Sequence, residues 1–162
     1  MHHVHVKIVI RADQQTVFQA ISDHEKFLNR PEVKCQLIKE GSDSINGCGA
    51  IREVTLSWGT FQEEVTVFQA PNHFEYKIRS FSNTQGESGS FQHDRGWLDF
   101  SSENEGTQID WHTRFEIPSP MGQSIIEWLA GWRTQRMFMK LLHQVKTKLE
   151  DSPIVDTIAG LF

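Results

Sequence analysis

The chain predicts an α+β fold in which a seven-stranded, curved antiparallel sheet wraps around one long carboxy-terminal helix, with two short helices after the first strand. Three observations carry this expectation: an opening segment of alternating character, a long run of strand-like segments cut by turn signals, and one uninterrupted amphipathic stretch at the end. A sheet curled around a single helix encloses space. Function is therefore expected in the cavity between the two.

Val4, Val6, Ile8 and Ile10 alternate with His3, His5, Lys7 and Arg11, the period of a half-buried strand, here about residues 3 to 12. Asp13 is placed to cap a helix whose Val17, Phe18 and Ile21 share one face. Asp23 is placed to cap a second, short one through Phe27 and Leu28 that stops before Pro31. From Val33 the pattern returns to strands at about 33 to 40, 49 to 58, 61 to 70, 73 to 81, 90 to 102 and 107 to 117. They are separated by Asn46-Gly47, Gly59, Pro71-Asn72, Asn83 to Gly89, and Asn104-Glu105-Gly106. Short turns between neighbours make antiparallel pairing the economical arrangement.

Ser119-Pro120 supplies a cap and a first-turn proline for a helix over about 120 to 150. Ile125, Trp128, Leu129, Trp132, Met139, Leu142, Val145 and Leu149 recur three or four apart and are expected to lie on the sheet. Gly131 leaves a gap in that stripe. Gln135 or Arg136 falls near the buried line between Trp132 and Met139, Arg136 either snorkelling to water at its edge or facing a cavity.

At 162 residues the chain fits one domain, read as residues 1–150, followed by an apolar tail over 151–162. In the tail Ile154, Val155, Ile158, Leu161 and Phe162 fall on one helical face, which predicts docking on the domain, on a second copy in a homodimer, or on another protein partner. A formal net charge of −5 with scattered Lys and Arg gives no footprint for nucleic acid or an anionic membrane surface. No segment has the length of a membrane span, and the first residues do not read as a signal peptide, so the expectation is a cytoplasmic protein. Cys35 and Cys48 belong to no metal motif and read as reduced thiols.

Four segments together resemble the START-like or Bet v 1-like (SRPBCC) superfamily, and within it the polyketide cyclase/dehydrase and lipid-transport group. They are the stretch from Ile10 to Asp23, Gly47-Cys48-Gly49-Ala50-Ile51-Arg52, Gly106-Thr107-Gln108-Ile109-Asp110-Trp111, and the final helix ending Leu149-Glu150. The resemblance covers about residues 3 to 150. It implies a helix-grip fold whose members hold lipids, sterols, polyketides or other hydrophobic molecules between sheet and helix, some of them also catalysing cyclisation, dehydration or hydrolysis. The family carries no universal catalytic signature, so the resemblance implies a container and leaves the reaction open.

Alternation assigns the wall of such a container. Val54, Leu56 and Trp58 define one inward row and bring Arg52 with them; Phe61, Val65 and Val67 bring Glu63; Phe74, Tyr76 and Ile78 form a third row; Ile109, Trp111, Thr113 and Phe115 form the last. The predicted ligand contacts are Arg52, Val54, Leu56, Trp58, Glu63, Val65, Tyr76, Ile78 and Trp111 on the sheet, with Trp128, Trp132 and Arg136 on the helix. Arg52 and Glu63 are either a structural ion pair or a pair that orients a ligand's polar end.

Phe91, His93, Arg95 and Trp97 share one alternation phase while Leu98 and Phe100 demand the other, so a bulge or strong twist is expected near Gly96. It leaves open which way His93 and Arg95 point. These two are the candidate catalytic groups, His93 as general acid or base if it faces inward. Of the amino-terminal His2, His3 and His5, His3 and His5 share a face, but with Lys7 and without a third metal ligand nearby in sequence, so no metal site and no cofactor is expected. The leading reading is a binder of a small hydrophobic molecule, with a cyclase or dehydratase and a chaperone-like assembly factor as alternatives.

Overall fold

The computed structural model describes residues 1–119 and 122–151. Strands β1 (His2–Ile10), β2 (Val33–Lys39), β3 (Ile51–Leu56), β4 (Gly59–Gln69), β5 (His73–Asn83), β6 (Gln92–Glu103) and β7 (Gly106–Glu116) form one sheet. Its order is β1-β7-β6-β5-β4-β3-β2 and every neighbouring pair is antiparallel. Helices α1 (Gln14–Ser22) and α2 (His24–Leu28) carry the chain from the β1 edge to the β2 edge. Helix α3 (Gln123–Glu150) packs on the concave face. The predicted seven strands, two short helices and long final helix are all present.

The Asp13 carboxylate accepts the Thr16 N–H at 2.9 Å, and hydrogen bonds from Thr16 hold its pKa below the usual carboxylate range. Such a cap satisfies one of the N–H groups that the first turn of a helix leaves without a partner. It starts α1 so that Val17, Phe18 and Ile21 enter the core against Phe74 and Phe100. On β7 the alternation holds throughout, with Ile109, Trp111, Thr113 and Phe115 inward and Asp110, His112 and Arg114 on the convex face.

Three departures from the sequence reading bear on function. The first is the rotation of α3. Its buried residues are Glu127, Gly131, Phe138, Leu141, Leu142 and Val145, while Ile125, Trp128, Leu129 and Trp132 are exposed. Two fits set this rotation: Glu127 Oε1 accepts the Ile117 N–H at 3.1 Å, tying the helix to the end of β7, and Gly131 lies against the His2 ring. A Cβ at Gly131 would overlap His2 Nε2, so the gap in the stripe is filled by a side chain from β1.

The second departure is the start of α3. It begins at Gln123 behind Gly122, whose φ of 74° is a left-handed conformation suited to glycine, so Gly122 stands at the cap where Ser119 was expected. Pro120 lies outside the described residues, as does the tail from 152 to 162. Third, bulges interrupt the ladders at 62/63, 65/67 and 93/95. The one at 65/67 sends Phe68 into the core after Val65, displacing Val67 from the expected inward row. The expected break near Gly96 lies at 93/95.

Candidate ligand-binding cavity

Between α3 and the concave face lies a cavity of about 730 Å³. This is within the range of small-molecule sites. Its enclosed part is bounded by Val33, Val54, Phe61, Tyr76, Trp111, Phe115, Phe138 and Leu141, all buried. Exposed residues Glu32, Ser57, Trp58, Ser90 and Arg133 also line it and mark its open side. Trp58 packs edge-on against Phe61 at that side, with Phe81 nearby. The wall is thus mainly aromatic and aliphatic, with polar groups at a few points.

Of the residues singled out from the sequence, Val54, Leu56, Trp58, Glu63, Tyr76, Ile78 and Trp111 line the cavity, and so does His93. Trp111 is fixed from both sides. Its ring stacks on Phe138 of α3 with centroids 3.6 Å apart, and its Nε1 donates to the Tyr76 hydroxyl at 3.1 Å. Burial pushes the Tyr76 phenol well above its ordinary pKa, so the hydroxyl stays protonated. Val65 is buried outside the lining.

The helix residues correct the sequence reading. Trp128 and Trp132 are 61% and 48% exposed, and Arg136 lies over the Trp132 ring at 4.7 Å on that outer face. None of the three lines the cavity. Ala130, Arg133, Thr134 and Met137 take their places because α3 turns Glu127 and Gly131 toward the sheet.

Arg52 is 1% exposed and meets Glu63 across the β3–β4 ladder, Nη2 to Oε2, at 3.4 Å. Burial lowers the Arg52 pKa and raises that of Glu63, each opposed by the charge of the other. Glu63 reaches the cavity, whereas Arg52 stands behind it with its Nε unpartnered.

The bulge between His93 and Arg95 separates the two candidate catalytic groups. His93 faces the cavity; Arg95 is on the convex side, donating to Glu75 at 2.9 Å and lying 4.2 Å from the Trp97 ring centre. The Ile78 N–H donates to His93 Nδ1 at 3.0 Å, so that nitrogen carries no proton. Nε2 holds the proton and donates it to Thr113 Oγ1 at 2.9 Å. Burial lowers the His93 pKa to about 4. Both nitrogens are thus engaged in holding β5, β6 and β7 together, and the imidazole is neutral at ordinary pH.

Among the lining residues that escaped the sequence reading, one is a buried titratable group. His24, at the start of α2, is 2% exposed, and neither ring nitrogen has a hydrogen-bond partner. Burial, and then the Arg52 charge, hold its pKa well below the ordinary imidazole value. A signal was present: His24 precedes Phe27 and Leu28 by three and four residues, the spacing of one buried helical face.

A curved antiparallel sheet gripping one long helix around an internal cavity is the arrangement of the helix-grip proteins. The chain belongs to the polyketide cyclase/dehydrase and lipid transport family, whose family model matches residues 1–150. Proteins of this family bind hydrophobic ligands. Among solved structures it is similar to a START superfamily protein from Mycobacterium smegmatis, at TM-score 0.71 and 16% identity over 92% of this chain and 99% of that one. It is also similar to Ara h 8.0201, at TM-score 0.63 and 12% identity over 89% and 97%. The Aha1 dimer from Colwellia psychrerythraea matches at TM-score 0.61 and 11% identity over 93% and 97%. No curated protein sequence matches significantly. No described helix is long and apolar enough to cross a membrane.

Proposed function

We propose that the protein holds one small, largely apolar molecule in this cavity and that the molecule carries a hydrogen-bonding group met by His24. The carrying observation is the unpartnered imidazole itself, since a buried polar group without a partner costs about 1–3 kcal/mol. A neutral imidazole offers one donor and one acceptor, which suits a hydroxyl, a carbonyl or a carboxylic acid. Glu63 and the Tyr76–Trp111 pair border the same space.

The test is native mass spectrometry of protein purified from its own host, followed by denaturing extraction of any passenger. A stoichiometric apolar molecule with one polar end is expected, and His24→Phe should weaken its rebinding by about tenfold, the worth of one buried hydrogen bond. An empty protein that also fails to bind 1-anilinonaphthalene-8-sulfonate saturably would end this reading. The cyclase or dehydratase alternative has less support. Its two candidates lie on opposite faces of the sheet, and His93 has no free nitrogen.

A partner role is supported by a separate observation, the exposed face of α3 formed by Ile125, Trp128, Leu129 and Trp132. The occupant we infer is a second copy of this chain, in line with the dimeric Aha1 structure. Sedimentation equilibrium should then report a dimer that the double change Trp128→Ser, Trp132→Ser converts to monomer. A monomeric parent protein excludes it.

A further inference from the structure

We propose a divalent transition-metal site on the convex face of the sheet, built by His5, His112 and Asp110 with His3 beside them, and best suited to Zn²⁺. The sequence reading set the amino-terminal histidines aside for want of a third ligand. The missing ligands come from β7, more than a hundred residues along the chain. In the β1–β7 ladder His5 is directly opposite His112, Lys7 opposite Asp110 and His3 opposite Arg114. The alternation that buries Val4 and Val6 turns all these side chains outward together.

One ligand atom from each of His5, Asp110 and His112 lies within 4.8 Å of the others. His5 Nε2 is 2.7 Å from Asp110 Oδ1, and His3 Nε2 is 3.1 Å from His112 Nδ1. Tetrahedral Zn²⁺ with bonds of about 2.0–2.2 Å places its donors about 3.3 Å apart. The gap closes by side-chain rotation alone, because His3 and His5 are exposed and can turn, while the paired backbones stay in place. Imidazole nitrogens with one carboxylate favour Zn²⁺ or its neighbours over Ca²⁺ or Mg²⁺, which prefer all-oxygen shells.

The surroundings fit a built site. Gln108 Nε2 donates to Asp110 Oδ2 at 2.7 Å, fixing the carboxylate that would ligate. Trp97 stacks on the His112 ring at 4.6 Å and forms an apolar floor. Lys7 Nζ, 3.7 Å from Asp110 Oδ1, is the competing cation and is exposed enough to swing away. Since β1 is an edge strand, a bound ion would clasp that edge to β7 from outside, on the face opposite the ligand cavity.

The test is calorimetric titration of Zn²⁺ into the untagged full chain at pH 7.5, with Co²⁺ absorption as a second readout. One ion per chain is expected, with tetrahedral Co²⁺ bands and a thermal midpoint that rises with Zn²⁺. His5→Asn and His112→Asn should each weaken binding at least tenfold. His73→Asn, on the same convex face but engaged by Asp99 and Glu75, should leave it unchanged. Circular dichroism of each variant separates loss of the site from loss of the fold. Absence of saturable binding, or equal affinity in the parent and the folded His112→Asn variant, overturns the proposal.

Discussion

Replacing Glu63 with alanine is expected to destabilise the protein by about 3–5 kcal/mol, the range for stranding one member of a buried ion pair. The Arg52 guanidinium that remains is 1% exposed, and its Nε already lacks a partner. Without Glu63 the protein must either keep an uncompensated charge out of water or open β3 and β4 to hydrate it, and both cost stability. Replacing both members, Arg52→Met with Glu63→Leu, should recover most of the loss because apolar groups of similar volume need no partner. Urea unfolding of the three variants measures this. A loss below about 1 kcal/mol for Glu63→Ala would mean that the charge had gained water or another acceptor.

Gly96→Ala is expected to cost about 1–3 kcal/mol, as overpacking of a filled core does, and to impair ligand binding in the same step. A Cβ on Gly96 would overlap the Tyr76 ring and hydroxyl, and Tyr76 is its direct cross-strand partner. The ring cannot retreat through the sheet, so it must move toward the cavity it lines. That motion breaks the bond from Trp111 and disturbs the Trp111–Phe138 stack between sheet and helix. Titration of 1-anilinonaphthalene-8-sulfonate alongside thermal unfolding checks both effects. Full affinity in a destabilised Gly96→Ala protein would show that Tyr76 yields without narrowing the cavity.

Much of the fold was legible because strands with one buried face must alternate, and β1 and β7 do so without interruption. The first turn of α1 was legible because Asp13 is a local cap. The rotation of α3 was hidden. The spacing of Ile125, Trp128, Leu129 and Trp132 has the form of a buried stripe, whereas the face that fits the sheet presents a carboxylate and a glycine. Beside the Gln123 amide of its own helix, Glu127 takes the Ile117 N–H as a partner there, and Gly131 takes the His2 ring. Neither partner can be known before the strands are assembled.

The candidate site divides along the same line. Val54, Leu56, Tyr76 and Trp111 follow from period-two counting within single strands. The opposite facing of His93 and Arg95 depends on a bulge whose position two compatible phases leave open. His5, His112 and Asp110 meet only through the register of the first strand with the last.

The β5–β6 ladder ends at Tyr76 and Gly96, and beyond it Ile78 gives its amide hydrogen to an imidazole instead of a neighbouring backbone. Ile78 and Phe81 on one side of this opening and Phe91 and His93 on the other all border the cavity. The container therefore has a pleat in its wall, closed by side chains between the Tyr76–Gly96 end of the ladder and the Gly89 N–H bond to the Phe81 carbonyl that pins its far end. Under the proposed binding role, a bulkier guest would spread it by trading van der Waals contact and the Ile78–His93 hydrogen bond, with the backbone bonds at either end left intact. Under that role, breadth of cargo would follow from the gap the β5–β6 ladder leaves in the sheet.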